Sequence, residues 1–174
     1  MSKPRLVLIS DIYGNTTGNW MEEYRKKLTP YFEVIEYDSR VLAGITSLDQ
    51  KQVHSEFING GTERAVQNLL THEPKASIIL GFSIGGTIAW KFATENNKIT
   101  SLHLVSATRL RNEITKPFSK ISLYYGELEA NGPTQSWFEN FKLVPTIFDD
   151  QTHECYSLVE SAKYICTMIL SEII

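Results

Sequence analysis

The sequence has few cysteines, no excess of basic residues and no long apolar run. Its 2 cysteines, Cys155 and Cys166, are too few for a disulfide framework and lack the spacing of zinc ligands, so we expect buried thiols. Lys and Arg total 17 against 20 Asp and Glu, for a net charge of −3. This balance argues against a nucleic-acid or anionic-membrane partner, because both select basic surfaces.

Neither a membrane span nor a secretory leader is visible in the sequence. The N-terminal apolar run is shorter than the stretch of about 7 to 15 residues in a signal peptide, and no segment reaches the roughly 18 apolar residues of a membrane span. We therefore expect a cytoplasmic protein without a membrane partner. We expect no metal and no cofactor. Nucleotide binding is poorly supported, because Gly14–Asn19 lacks the Gly-Lys-Ser/Thr of a phosphate-binding loop. The sequence does not indicate an oligomeric state.

Short apolar runs alternate with segments of helical periodicity along the 174 residues, which suit one domain spanning 1–174. This alternation predicts an α/β fold, a three-layer α/β/α sandwich around a mostly parallel six-stranded sheet. Only Ser39–Gly60 has no readable pattern, and we expect it to be irregular. The predicted strands are Leu6–Ser10, Glu33–Tyr37, Ser77–Leu80, Leu102–Val105, Ile121–Tyr125 and Val144–Phe148. The predicted helices are Asn19–Leu28, Thr62–Thr71, Ile84–Glu95 and Glu154–Leu170.

A serine stands between glycines where the third strand turns into a helix. The segment Gly81-Phe82-Ser83-Ile84-Gly85 matches G-x-S-x-G, in which a tight strand-to-helix turn exposes a nucleophilic serine above the sheet. The N–H of Ile84, at the helix N-terminus, would then bind developing negative charge. The alternative is an ordinary turn in which the serine caps the helix.

A nucleophilic serine requires a neighbouring base. Of the 4 histidines, His153 follows the sixth strand and therefore lies at the same carboxyl edge of the sheet as Ser83. His103 falls inside the fourth strand, where a buried structural role is expected, while His54 lies in the irregular segment and His72 closes a helix. We predict His153 as the base.

The imidazole requires a carboxylate to orient it. Glu129 and Glu127 both follow the fifth strand. We favour Glu129, because the chain has left the strand there and can reach the next loop, and Glu127 remains the alternative. The order Ser83, Glu129, His153 is the nucleophile–acid–histidine order of α/β-hydrolases.

A second oxyanion donor is expected from the loop after the first strand, which should lie beside the serine-bearing strand. The N–H of Ile12 is the candidate, or that of Tyr13 if the register differs by one residue.

On these motifs the sequence resembles the α/β-hydrolase superfamily, and within it the small lidless serine hydrolases related to retinoblastoma-binding protein 9. The resemblance extends over nearly the whole chain, through "LVLISDIYGN", "IILGFSIGG", "LHLVSA", "ISLYYGELE" and "IFDDQTH". It implies an α/β-hydrolase fold, from which this sequence departs in that we expect neither the family's opening hairpin nor a cap domain. It also implies Ser83, His153 and Glu129 as catalytic residues, with Ile12 and Ile84 as oxyanion donors. The sequence departs from the family where either Ser10-Asp11 or Asp11-Ile12 replaces the usual His-Gly pair.

The expected activity is cleavage of a carboxylic ester or thioester through an acyl-enzyme. Without a lid the site would be open, which favours a small-molecule or carrier-bound acyl substrate over a long lipid. Three alternatives remain: an acyltransferase that uses the same acyl-enzyme, a non-catalytic binding protein with this fold, and a flavodoxin-like nucleotide-binding domain.

Overall fold

Six parallel strands form one sheet in the computed structural model, which describes residues 2–16, 20–75 and 77–173. The strand order is β2-β1-β3-β4-β5-β6, so β3, which leads into the serine turn, lies between β1 and β4. In sequence order the strands are β1 Arg5–Ile9, β2 Glu33–Tyr37, β3 Ile78–Phe82, β4 Ser101–Val105, β5 Lys120–Gly126 and β6 Thr146–Phe148. The central strands β3 and β4 are buried along their whole length, which explains why β3 reads as a continuous apolar run.

Helices cover both faces of this sheet, as predicted. They are α1 Trp20–Leu28, α2 Ser39–Ala43, α3 Gln50–Glu56, α4 Thr62–His72, α5 Ile84–Glu95, α6 Gln135–Phe141 and α7 Val159–Leu170. One face packs α1 and α7 against Leu6 and Leu8, and the other packs α2, α4 and α5 against Val7 and Ile9. The alternation of β1 side chains between two buried layers produces the three-layer sandwich.

The segment Ser39–Gly60, predicted to be irregular, is largely helical. It contains α2, α3 and the start of a single π-helical turn, Phe57–Gly61. Asp38 and Asp49 cap the N-termini of α2 and α3 through their side chains. The sequence prediction was wrong because these helices have only 5 and 7 residues, too few for a periodic pattern to emerge.

Other element boundaries differ by smaller amounts. The C-terminal helical region begins as a 3-10 turn, His153–Ser157, and α7 starts only at Val159. The last strand begins at Thr146 instead of Val144, and Asn19, the predicted start of α1, lies outside the described residues.

The connection between β4 and β5 bears on access to the carboxyl edge of the sheet. It contains a 3-10 turn, Thr108–Asn112, and within the described ranges neither an α-helix nor an antiparallel strand interrupts it. No cap is built at this position, in keeping with the predicted lidless fold. In the part of the chain that the structure covers, no helix is long and apolar enough to cross a membrane.

Candidate active site

Ser83 occupies a strained turn between β3 and α5. Its backbone has φ 53° and ψ −117°, a conformation that costs an L-residue about 1–2 kcal/mol. The turn is held by the Ser83 N–H, which donates to the Val105 carbonyl at 2.8 Å. The serine side chain is therefore presented above the carboxyl edge of the sheet by backbone geometry.

The flanking glycines are required by close packing, since neither has a positive φ. A Cβ on Gly81 would come within 2.6 Å of the Gly85 carbonyl oxygen, and a Cβ on Gly85 within 2.3 Å of the Ser10 carbonyl oxygen. The G-x-S-x-G spacing therefore lets α5 start directly against β1 and β3, while the serine itself carries the positive φ.

Ser83, His153 and Glu129 form one chain of hydrogen-bond contacts. Ser83 Oγ lies 2.9 Å from His153 Nε2, and His153 Nδ1 lies 2.5 Å from Glu129 Oε2. Because a carboxylate can only accept, Nδ1 donates to Glu129, which leaves Nε2 free to accept the Ser83 proton. The Glu129 side chain is 5% exposed and that of His153 is 38% exposed, so the acid is shielded while the imidazole reaches solvent.

Glu127 has a different position. Its carboxylate accepts the N–H of Asp150 at 2.9 Å, within the turn that precedes the histidine, and its side chain is exposed. Of the two glutamates, Glu129 is therefore the one in contact with His153.

Two small residues position the histidine loop. A Cβ on Gly126, at the end of β5, would lie 2.3 Å from the Gln151 carbonyl oxygen and 2.4 Å from that of Thr152. Ser106, at φ 51° after β4, donates from Oγ to the His153 carbonyl at 2.6 Å. Sequence reasoning missed both, because their contacts are made across strands that are distant in the chain.

The loop after β1 lies beside the serine turn, as predicted, because β1 pairs with β3 and Ile9 is opposite Gly81. The Tyr13 N–H donates to Asp11 Oδ1 at 3.0 Å. Neither Ile12 nor Ile84 donates its N–H to a protein acceptor in the described residues, and both residues line the same cavity as Ser83. Of the three candidate donors, Ile12 and Ile84 thus have an N–H group without an acceptor among the described residues, while the N–H of Tyr13 is engaged.

Asp11 lies where this loop departs from the usual His-Gly pair, and it connects the loop to another part of the site. It is buried, and its Oδ2 accepts the Tyr156 hydroxyl at 3.0 Å. Burial raises the pKa of Asp11, and the hydrogen bonds from Tyr156 and Tyr13 partly offset that rise. The carboxylate thus joins the loop after β1 to the turn that carries His153.

The two cysteines are buried, as predicted. Burial raises the pKa of both thiols, that of Cys166 to about 12. Cys155 Sγ lies 3.4 Å from Ser106 Oγ. Burial therefore disfavours the thiolate form, which reactivity requires, in both cysteines.

An open cavity of about 410 Å³ borders the triad. Its wall includes α3 and the π-helical turn, through Gln50, His54 and Phe57, from the segment that sequence analysis left unread. Among the aromatic residues, Tyr13 lines this cavity. Tyr124, Tyr125 and Trp137 belong to the core. Of the described residues, no group of three or more His, Cys, Asp or Glu side chains is arranged to hold a metal ion.

The fold of the chain is similar to that of known structures. The chain has the α/β-hydrolase fold. One similar structure, a hydrolase of the α/β superfamily from Xanthomonas campestris pv. campestris, has 14% identity and a TM-score of 0.72, covering 98% of this chain and 99% of that one.

Two further structures carry the same fold. A serine hydrolase without a lid, from Xanthomonas campestris, has 13% identity and a TM-score of 0.64 over 100% of this chain and 84% of that one. Mouse α/β hydrolase domain-containing protein 10 has 13% identity and a TM-score of 0.69, covering 98% of this chain and 91% of that one.

No family model and no curated protein sequence matches the chain. At these identities the structural likeness establishes the α/β-hydrolase fold, which confirms the predicted fold class. The reaction has to be argued from the site.

Proposed function

We propose that the protein is a serine hydrolase that cleaves a carboxylic ester or thioester through an acyl-enzyme. The observation that carries the proposal is the hydrogen-bonded series from Ser83 through His153 to Glu129. Such a series provides a nucleophile, a base in reach of its proton and an acid that orients the base.

In the first half-reaction Ser83 Oγ attacks the acyl carbon while His153 Nε2 accepts its proton. The carbonyl oxygen becomes an oxyanion that accepts hydrogen bonds from the N–H groups of Ile12 and Ile84. His153 then returns the proton to the departing alcohol or thiol, which leaves an ester on Ser83. A single oxyanion donor contributes about 3 kcal/mol to transition-state stabilisation.

Water completes the cycle by the same route. His153 removes a proton from the attacking water, the tetrahedral intermediate collapses, and the carboxylic acid departs as Ser83 recovers its proton. The partial exposure of the imidazole supports access of water to the acyl-enzyme. This favours hydrolysis over transfer to a bound acceptor.

The test combines a fluorophosphonate probe with turnover of p-nitrophenyl butyrate and butyryl thioesters. The wild type should be labelled at Ser83 and should hydrolyse at least one of these substrates. Ser83→Ala and His153→Ala should lower kcat by at least about 10³-fold.

Glu129→Gln and Glu127→Gln form a matched pair for the acid. We expect Glu129→Gln to lower kcat by about 10²-fold or more, since the amide no longer stabilises the imidazolium, and Glu127→Gln to change it by less than about threefold. A folded wild type that neither reacts with the probe nor turns over any ester would contradict the proposal.

A further inference from the structure

Beside the serine turn, Thr87 has a buried hydroxyl that lacks a hydrogen-bond partner among the described residues. It lies on α5, one helical turn after Ser83, and is 2% exposed, yet Oγ1 meets no hydrogen-bond acceptor or donor among the described residues. The helical threonines Thr71, Thr94 and Thr167 each donate to the carbonyl four residues earlier. Thr87 does not, although burial of an unpaired hydroxyl is unfavourable.

Arg109 is the second unused polar group. It lies in the 3-10 turn after β4 and is half-buried. Other arginines have protein partners: Arg5 and Arg25 pair with carboxylates, and Arg40, Arg64 and Arg111 donate to carbonyls. Within the described ranges, no hydrogen bond or ion pair engages the Arg109 guanidinium.

Thr87 and Arg109 line the same space. Both border the cavity next to Ser83 and also a smaller cavity of about 160 Å³ that shares Phe57 and Ile58 with it. The two cavities therefore adjoin at Thr87 and Arg109.

The acidic groups around this space are accounted for. Glu129 contacts His153, and in the smaller cavity Glu113 pairs with Lys91 at 3.1 Å, with Glu63 at 3.8 Å from the same ammonium. Glu154 is exposed at the rim. Among the described residues, Arg109 therefore has no counter-ion, and it lines the same cavities as Thr87, whose hydroxyl has no acceptor.

We infer that Thr87 and Arg109 form a subsite for a carboxylate on the substrate. The inference rests on the proposed hydrolase function and adds the substrate class, a small ester or thioester that carries a second, free carboxylate. A carboxylate accepts from both the guanidinium and the hydroxyl, and a charge-assisted pair of this kind is stronger than a neutral hydrogen bond. A substrate ammonium group would be repelled by Arg109.

The experiment compares three esters. p-Nitrophenyl butyrate is neutral, mono-p-nitrophenyl glutarate carries the carboxylate on the acyl side, and 4-butyryloxybenzoate carries it on the leaving group. The measured quantity is the ratio of kcat/KM for each charged ester to that for the neutral one.

We expect the wild type to prefer one of the charged esters, which identifies the side that faces Arg109. Arg109→Met should lower that ratio by about 10- to 100-fold and Thr87→Val by about 3- to 10-fold. Arg109→Lys should retain part of the preference, because it keeps the charge and loses the bidentate geometry. Arg64→Met is the control, since it removes the same charge from α4, away from the cavity, and should leave the ratio unchanged.

The outcomes separate the two proposals. A wild type that reacts with the fluorophosphonate and cleaves the neutral ester, with a ratio that Arg109→Met does not alter, overturns the carboxylate subsite and leaves the hydrolase standing. If no ester is cleaved, calorimetry with glutarate and with neutral butyramide decides the subsite independently. Glutarate binding that is lost in Arg109→Met supports it, and no glutarate binding to the wild type overturns it.

Discussion

The hydroxyl of Tyr156 donates to Asp11 Oδ2 at 3.0 Å. Asp11 follows β1 and belongs to the loop of Ile12, the proposed oxyanion donor, whereas Tyr156 lies in the 3-10 turn that begins at His153. One buried hydrogen bond therefore connects the loop that would bind the oxyanion to the turn that holds the base. We therefore expect this contact to hold the two halves of the site at their spacing.

Tyr156→Phe tests this connection. Loss of the hydroxyl leaves the buried Asp11 carboxylate with one donor fewer, so we expect the free energy of unfolding at pH 7 to fall by about 1–3 kcal/mol. Fluorophosphonate labelling should slow by about 10-fold, because the loop and the histidine turn are no longer held together. Denaturant melts and labelling rates measure the two effects.

The loss of stability in Tyr156→Phe should also depend on pH. The pKa of Asp11 is higher in the folded protein than in the unfolded chain. Ionisation of Asp11 therefore lowers the free energy of unfolding, and this loss grows as pH rises from the pKa in the unfolded chain through the pKa in the folded protein. Removal of the Tyr156 donor raises the pKa further, and the destabilisation should therefore be smaller at pH 4 than at pH 7. Tyr164→Phe is the control, since Tyr164 is 44% exposed and lies outside the Asp11 contact. Equal losses of stability in both variants would contradict the assignment.

Gly126→Ala tests the approach of the histidine loop to β5. The new methyl group would collide with the carbonyl oxygens of Gln151 and Thr152, which are backbone atoms and cannot rotate away. We expect the free energy of unfolding to fall by about 2–3 kcal/mol and ester hydrolysis to fall with it. Gly132→Ala is the matched control, because its nearest neighbour, Glu129 Cγ, is 3.6 Å away. A loss in Gly126→Ala no larger than in Gly132→Ala would show that the loop shifts freely.

Thr87→Val separates function from stability at the carboxylate subsite. Valine has the same shape and removes the unpaired hydroxyl, so the free energy of unfolding should rise by about 1 kcal/mol while the preference for a charged ester falls. Thr94→Val, on the exposed side of α5, should change stability by less than about 0.5 kcal/mol. Thermal or urea unfolding measures both. Destabilisation by Thr87→Val would mean that the hydroxyl has a structural partner.

The Glu172 carboxylate makes the stability of the C-terminus sensitive to acid. Burial opposes its ionisation, but hydrogen bonds from His103, Lys120 and Ser101 outweigh that effect and hold its pKa at about 2. Because the folded pKa is below the unfolded value of 4.5, the contribution is complete above pH 4.5 and is lost as pH falls toward 2.

Glu172→Gln should remove this part of the acid dependence. We expect the variant to be less stable than the wild type by about 1–2 kcal/mol at pH 6, with the difference shrinking toward pH 2. Urea unfolding between pH 2 and 6 measures the difference. Glu160→Gln, on the exposed start of α7, is the control. A constant difference across this range would contradict the assignment.

The sequence by itself determined the layers of the fold and the order of the site residues. Buried parallel strands appear as continuous apolar runs because both of their faces are covered, and β1 and β3 were readable for this reason. The carboxyl ends of such strands meet at one edge, so residues that follow β3, β5 and β6 were expected together. Ser83, Glu129 and His153 do lie within hydrogen-bond contact.

Only the tertiary structure decided which of several equivalent side chains is used. Glu127 and Glu129 are alike in sequence, and their roles differ because the turn at Asp150 engages one and His153 the other. The Tyr13 N–H is engaged by Asp11, a contact that a loop sequence does not reveal. The unpaired state of Thr87 and Arg109 depends on neighbours from distant parts of the chain. A pattern in sequence reports local periodicity, whereas hydrogen-bond partners are chosen among groups that meet only when the chain has folded.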